Sequence, residues 1–184
     1  MSESRYPRES NLLGALALAL SDRMRESTEA AAKHTAAAPA ALVALHEFLG
    51  GRSVDDLRRA IGLTHSGAVR LVDRMVAQGY VERRRGADAR SVALQLTAGG
   101  HRAARRILAA RAGALDDLLA QLSEADHRAL TRITEKMLRA ITLQRLADRR
   151  RNRPPIGGWM CRLCDFQACG RPQGACPVAN AASE

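Results

Sequence analysis

Aromatic side chains are scarce in this chain: one Trp, two Tyr and two Phe, 3% of 184 residues. That supply excludes a wide aromatic-lined substrate cleft and a sandwich built on aromatic strands. Lysine is nearly missing, Lys33 and Lys136 standing alone among 29 basic residues, a bias that points to a GC-rich genome rather than to a function. Cysteine is absent from the first 160 positions, so no disulfide framework runs through the body of the fold. No apolar run approaches the roughly 20 residues of a membrane-spanning helix, and no internal repeat is present. There is no Gly-rich phosphate loop and no Ser/His/Asp order. The nearest carboxylate pair, Glu124 and Asp126, belongs to a helix cap. His34, His46, His101 and His127 show no paired spacing and read as surface or helix-face side chains. The chain is therefore not expected to be an enzyme.

What is present is positive charge and enough apolar residues for one core. Hydrophobic residues make up 46% of the chain, which suits one domain with a small appendage and excludes disorder throughout. The formal charge is +10 and the isoelectric point near 10.8, so the natural partner is a polyanion. Leu12 to Leu20, after Arg5 and Arg8, has the size of a signal-peptide core. Glu3 and Glu9 interrupt its basic flank, however, and the run continues into a polar helix from Ser21 to Lys33. A cytoplasmic location without membrane association is the expectation.

Periodicity orders the body. Ser10 can cap a first helix with Leu12, Leu13, Leu16, Leu20 and Met24 on one stripe. Ala30 to Ala38 is helix-permissive, and Pro39 opens a second helix with Leu42, Leu45, Phe48 and Leu49, stopped at Gly50-Gly51. Ser53 caps a third helix with Val54, Leu57, Ala60 and Ile61, ending at Gly62. Thr64 caps a fourth with Ala68, Val69, Val72, Met75 and Val76 as its buried face and Gly79 as its stop. The period then changes from 3.6 to 2: Val81 opens a strand, and Val92, Leu94 and Leu96 alternate with Ser91, Ala93 and Gln95. Between the strands, Arg83 to Arg90 with Gly86 at its centre reads as a hairpin tip. Thr97 caps a long helix to about Leu122, whose stripe is Ile107, Leu108, Leu115, Leu118 and Leu119. Ser123 to Asp126 looks like a capping box for a last helix with Leu130, Ile133, Met137, Ile141 and Leu146.

The fold class that follows is mainly α with a small β-hairpin wing, a winged helix-turn-helix with a long helical dimerisation region. Residues 1–35 form a dimerisation helix, 36–98 the winged lobe, 99–150 the C-terminal dimerisation helices, and 151–184 a linker and tail. Helix, tight turn, helix and basic hairpin place the second helix in a major groove and the wing beside it. The fourth helix offers Thr64, His65, Ser66 and Gly67 at its N-terminal end, with Arg70 and Arg74 further along. Its N-terminus attracts phosphate, and Arg70 or Arg74 can pair with guanine for about 1–3 kcal/mol of discrimination. In the hairpin, Arg84, Arg85 and Arg90 supply charge; an arginine at the tip suits a narrow minor groove, and Asp88 can fix the rotamer of Arg90.

Residues 69–75 (Val-Arg-Leu-Val-Asp-Arg-Met), then Gly79-Tyr80-Val81-Glu82-Arg83, resemble the recognition helix and its exit in the MarR family of winged-helix repressors. Asp88-Ala89-Arg90, followed by Leu94-Gln95-Leu96-Thr97 and Gly99-Gly100, is similar to that family's wing. The resemblance spans about residues 10 to 150. It implies an obligate homodimer, paired through the first and last helices, that binds a pseudo-palindromic operator in double-stranded DNA. It also implies Arg90 as wing-tip arginine, Asp88 as its holder, and groove-facing positions for Ser66, Gly67 and Arg70.

The tail carries Cys161-x2-Cys164-x4-Cys169-x6-Cys176-Pro177, without a histidine. Four soft thiolates in one short segment suit a single metal centre. Structural zinc favours two close pairs, which the wide second gap does not offer. Cys176 to Asn180 is similar to the cluster-binding tail of the MerR-family redox sensor SoxR, although here the middle spacing is x4 rather than x1 and the last x6 rather than x5. The expectation is an iron–sulfur cluster on Cys161, Cys164, Cys169 and Cys176, [2Fe–2S] ahead of [4Fe–4S], with zinc or redox-active thiols as alternatives. Arg162, Arg171 and the basic run 149–153 would offset its negative charge. Trp159 either shields that site or anchors the tail on the helices. The whole reads as a dimeric, sequence-specific DNA-binding regulator that senses redox or iron–sulfur status. The alternative is the same dimer with structural zinc and a small organic effector.

Overall fold

A computed structural model describes residues 7–33, 37–86, 92–153 and 157–183. Helix α1 spans Arg8–Ala32, α2 Ala38–Glu47, α3 Val54–Ile61 and α4 His65–Ala77. The strands β1 (Val81–Arg85) and β2 (Val92–Leu96) follow, then α5 (Ala98–Leu119) and α6 (Glu124–Arg150). The tail holds a 3-10 turn, Met160–Leu163, and a short helix α7, Pro177–Ala182. The fold is mostly helical with one antiparallel hairpin, the architecture of a winged helix. None of the described helices is long and apolar enough to cross a membrane.

Four of the helix starts follow from hydroxyl caps. The side-chain oxygens of Ser53, Thr64, Thr97 and Ser123 accept from the backbone N–H of Asp56, Gly67, Gly100 and Asp126. Ser53 and Ser123 form full capping boxes, because Asp56 and Asp126 accept in turn from the cap backbone. The first helix departs from expectation: it begins after Pro7, and Ser10 lies inside it. Pro7 lacks a donor N–H and has a preset φ, so it starts the helix without a side-chain cap. The helix ends at Ala32, with Lys33 in the left-handed region at φ 56°.

The core gathers under α2. Leu42, Val43, Leu57, Val72, Leu94 and Ile107 are fully buried, drawn from α2, α3, α4, β2 and α5. The inner face of α4 is Ala68, Leu71, Val72 and Met75, not the expected stripe through Val69 and Val76, which are half-buried. A helix laid on two neighbours buries an arc wider than one stripe, and Leu71 falls within it.

The hairpin pairs Val81 with Leu96 and Arg85 with Val92. Arg83 to Arg85 therefore lie in β1 and not in the hairpin tip, because the alternating apolar residues of β2 extend the ladder that far. The hairpin joins α5 tightly. Thr97 Oγ1 donates to the Gly79 carbonyl at 2.6 Å and accepts from Gly100 N at 3.1 Å. Position 100 has to be glycine, since a Cβ there would collide with the Tyr80 carbonyl.

Two apolar faces remain uncovered within one chain. Leu12, Leu13 and Leu16 on α1 are about half exposed, and Leu130, Ile133, Met137 and Ile141 on α6 are exposed as well. Helix α6 takes its packing from α7 of the tail, while α1 packs along α5.

Candidate nucleic-acid interface and thiol tail

The N-terminal end of α4 is open to solvent: Thr64, His65 and Ser66 are exposed and Gly67 is half-buried. The Thr64 hydroxyl occupies the Gly67 N–H at 3.2 Å. Arg70 and Arg74 are exposed on the side of the helix away from Leu71 and Met75. One face thus carries polar groups at the helix N-terminus and two guanidinium groups beyond, which suits a phosphate-lined groove.

Beside it, β1 brings three arginines with different partners. Arg83 donates to Asp73 of α4 at 2.6 Å, tying the wing to the helix, a contact the sequence reading did not anticipate. Arg84 is paired with Glu82 at 2.7 Å, and Arg85 is exposed. Asp88 and Arg90, the expected wing-tip pair, lie outside the described residues, as does His34.

His46 and His101, 55 positions apart, meet with their Nδ1 atoms 2.9 Å apart. Both are helix-face side chains, as read, and α2 and α5 bring them together, which their spacing in the sequence does not indicate. One ring must donate and the other accept. Burial first, then the charges of His46 and Arg105, hold His101 below the ordinary histidine range.

The tail is not a loose appendage. Trp159 N donates to the Ala60 carbonyl at 2.7 Å, and Arg145 donates to the Gly158 carbonyl at 3.4 Å. Gly158 lies so close to Ala60 and Ile61 that a Cβ would overlap their backbone. From the other side, a Cβ on Gly62 would come within 2.6 Å of Gly158 N. At the C-cap of α2, Phe48 stacks with Trp159 (5.6 Å) and with Phe166 (5.4 Å), and Arg171 lies over the Phe166 ring at 4.4 Å. Phe166 N also donates to the Glu47 carboxylate at 3.2 Å. Trp159 is therefore an anchor. From the sequence a shield was equally plausible, because its partners, Phe48 and Ala60, lie about a hundred positions upstream.

The four thiols approach one another on this docked segment. Cys161 sits in the 3-10 turn, Cys164 closes it, Cys169 follows the Asp165 turn, and buried Cys176 precedes α7. Cys161 donates to Cys164, which brings the Cys164 thiol down to about 6, helped by Arg111 and Arg162 against burial and Glu47. The same bond pushes Cys161 up, together with burial and the charges of Cys164 and Cys176. Cys169 is raised by burial first, and also by contact with Cys176. In kind and number these donors suit a soft metal centre. Among the described residues, however, no group of three or more His, Cys, Asp or Glu side chains is already gathered at one point that would hold a metal ion.

Residues 35–91 match the MarR family. The transcriptional repressor MprA of Escherichia coli K12 is 34% identical over 84 residues, 45% of this chain and 48% of that protein. The chain thus spans about half the length of the curated relatives it matches. Among solved structures, a MarR family protein from Bacillus stearothermophilus is 28% identical with a TM-score of 0.63, covering 72% of this chain and 92% of that one. A point mutant of Staphylococcus aureus MepR, solved bound to an oligodeoxyribonucleotide, shares the fold with a TM-score of 0.57 at 19% identity. That match covers 74% of this chain and 99% of MepR.

Proposed function

We propose that the chain, whose residues 35–91 match the MarR family, is a dimeric, cytoplasmic DNA-binding transcription regulator, not an enzyme, whose four-cysteine tail reports redox or iron–sulfur status. The observation that carries the first part is one face holding Thr64, His65, Ser66, Gly67, Arg70 and Arg74 of α4 beside Arg84 and Arg85 of β1. On that face Arg70 and Arg74 reach base edges, and the helix start and Arg85 take phosphate; the family resemblance gives the minor groove to Arg90, with Asp88 as its holder. The exposed leucines of α1 and the apolar stripe of α6 favour a homodimer, since a chain does not leave two such faces in water. Two lobes about 34–36 Å apart then read a pseudo-palindromic operator.

In the tail, Cys161, Cys164, Cys169 and Cys176 would hold an iron–sulfur cluster, which supplies one-electron exchange when bound. The chain's own residues do the coupling. Trp159 and Gly158 grip the end of α3, and Phe48 holds Trp159 and Phe166 on α2. The gripped residues Ala60 to Gly62 run directly into Thr64, the start of the DNA-reading helix. A change in what the four thiols hold would act on that grip and, through Ala60 to Gly62, on how α4 is presented. This differs from the spacing change between dimer helices that a tail packed only on α6 would produce.

Anaerobic purification followed by an absorption spectrum and iron, sulfide and zinc analysis on one sample tests the tail. Operator binding with and without oxidant, on the parent and on Cys164→Ser, tests the coupling. Iron with acid-labile sulfide, and operator release under oxidant by the parent alone, support the reading. A colourless protein with one zinc per chain makes the tail a structural clasp. Failure to bind any DNA at low salt refutes the regulator itself.

A further inference from the structure

The first turn of α5 is where the winged lobe joins the helices proposed to pair two chains. Strand β2 ends at Leu96 and α5 begins at Ala98, so Thr97 alone separates wing from helix. Its hydroxyl makes two different bonds. As a cap it accepts from Gly100 N at 3.1 Å, within the first turn of α5 itself. As a donor it reaches the Gly79 carbonyl at 2.6 Å, at the exit of the DNA-reading helix. Thr97 N also donates to the Tyr80 carbonyl at 3.0 Å. Gly100 is buried against that same Tyr80 backbone, where a Cβ would stand 2.1 Å from the carbonyl oxygen. One residue further on, His101 meets His46 of α2 at 2.9 Å. On the lobe side, Arg83 ties β1 to Asp73 of α4, so helix and wing meet this joint as one body.

We infer that Thr97 is a positioning residue: its bond to Gly79 fixes the angle between the DNA-reading lobe and α5, and so sets which separation of operator half-sites the dimer accepts. The inference rests on the dimeric DNA-binding reading and adds to it the side chain on which spacing depends. Apolar packing of α5 on α2 also holds lobe and helix together, but it is non-directional, whereas a hydrogen bond weakens steeply away from its preferred angle. One base pair more or less between half-sites moves one of them by about 3.4 Å and turns it by about 34–36°. Lobes fixed on α5 cannot follow that turn; lobes free to swivel can.

The probe is the duplex that the full-length parent selects from a random-sequence pool, with versions carrying one base pair inserted or removed at its centre, and a duplex holding one half-site. Affinities are read by fluorescence anisotropy. The parent should lose at least about tenfold on either change of spacing. Thr97→Asp keeps an oxygen that caps Gly100 N but has no proton for the Gly79 carbonyl. It should lose no more than about threefold on the same changes, with single half-site affinity within about twofold of the parent. Thr97→Ser retains both bonds and should behave as the parent. Ser123→Ala strips the cap of α6 and touches no bond across the joint, so it should keep the parent's spacing ratio. Thr97→Val, which lacks both bonds, reads the same ratio should the Asp variant fail to fold. A Thr97→Asp protein that weakens at every spacing alike overturns the proposal and makes Thr97 a cap only. So does a parent indifferent to spacing. A parent that binds no duplex, or binds one as a monomer, refutes the underlying reading and takes the proposal with it.

Discussion

The winged lobe and the tail are held by different means. The lobe buries aliphatic side chains completely: Leu42, Leu57 and Leu94 are closed off from solvent, and hydroxyl caps fix the helices around them. The tail has no comparable core. Of its described residues only Gly158, Cys176 and Ala181 are buried; the rest of its order comes from a stacked aromatic trio, one backbone bond to α3, the packing of α7 on α6 and four thiols. Hydrophobic burial persists under any redox condition, whereas thiol contacts depend on what the thiols are bound to. The two regions are thus expected to differ in stability: a lobe held by a buried core and a tail held by local contacts.

That contrast can be broken from either side. The largest effect is expected in the lobe: Leu57→Ala should lower unfolding free energy by about 2–5 kcal/mol in denaturant titration, because its neighbours cannot collapse into the space. In the tail, Gly158→Val should cost the lobe far less. Its signature is limited proteolysis, in which the variant loses residues after α6 while the protected fragment keeps a cooperative transition. Equal loss of stability in the two variants would mean that lobe and tail fold as one unit. Ser123→Ala removes the capping box of α6 and should cost about 1 kcal/mol. Ellipticity at the helix bands and thermal midpoint check it.

The smallest effect concerns pH. Because the folded-state affinity of His101 for a proton is depressed, the unfolded chain binds protons first as pH falls. Stability is fully present above about pH 6.5, the unfolded value, and declines as pH drops below it towards the folded value. Denaturant titrations between neutral and mildly acid pH should show a shallower decline for His101→Asn. An unchanged slope would remove the histidine pair from any role in acid sensitivity.

How much was legible depended on distance along the chain. The caps at Ser53, Thr64, Thr97 and Ser123 could be read because donor and acceptor lie three residues apart. The switch to a hairpin was visible in the alternation of Val92, Leu94 and Leu96, and so was the basic face of α4. What escaped depends on the fold. Leu71 is buried because two neighbours widen the contact arc. The Arg83–Asp73 pair needs the wing folded beside the helix. Nothing in the spacing of His46 and His101 says they touch. The tail's cysteines announced themselves, but the surface they dock on did not: Phe48 is an ordinary core-type residue until Trp159 and Phe166 close on it.

The contact between Gly62 and Gly158 also carries a schedule. The two positions are 96 residues apart, and a ribosome adding about 5–20 residues per second needs roughly 5–20 s to travel between them. For about the last half of that interval, once Ile107 has been added, the lobe can fold while the segment that grips it has not been made. Each newly synthesised molecule therefore passes through a period as a lobe without its clasp, and a chain cut short within α6 would stay in it.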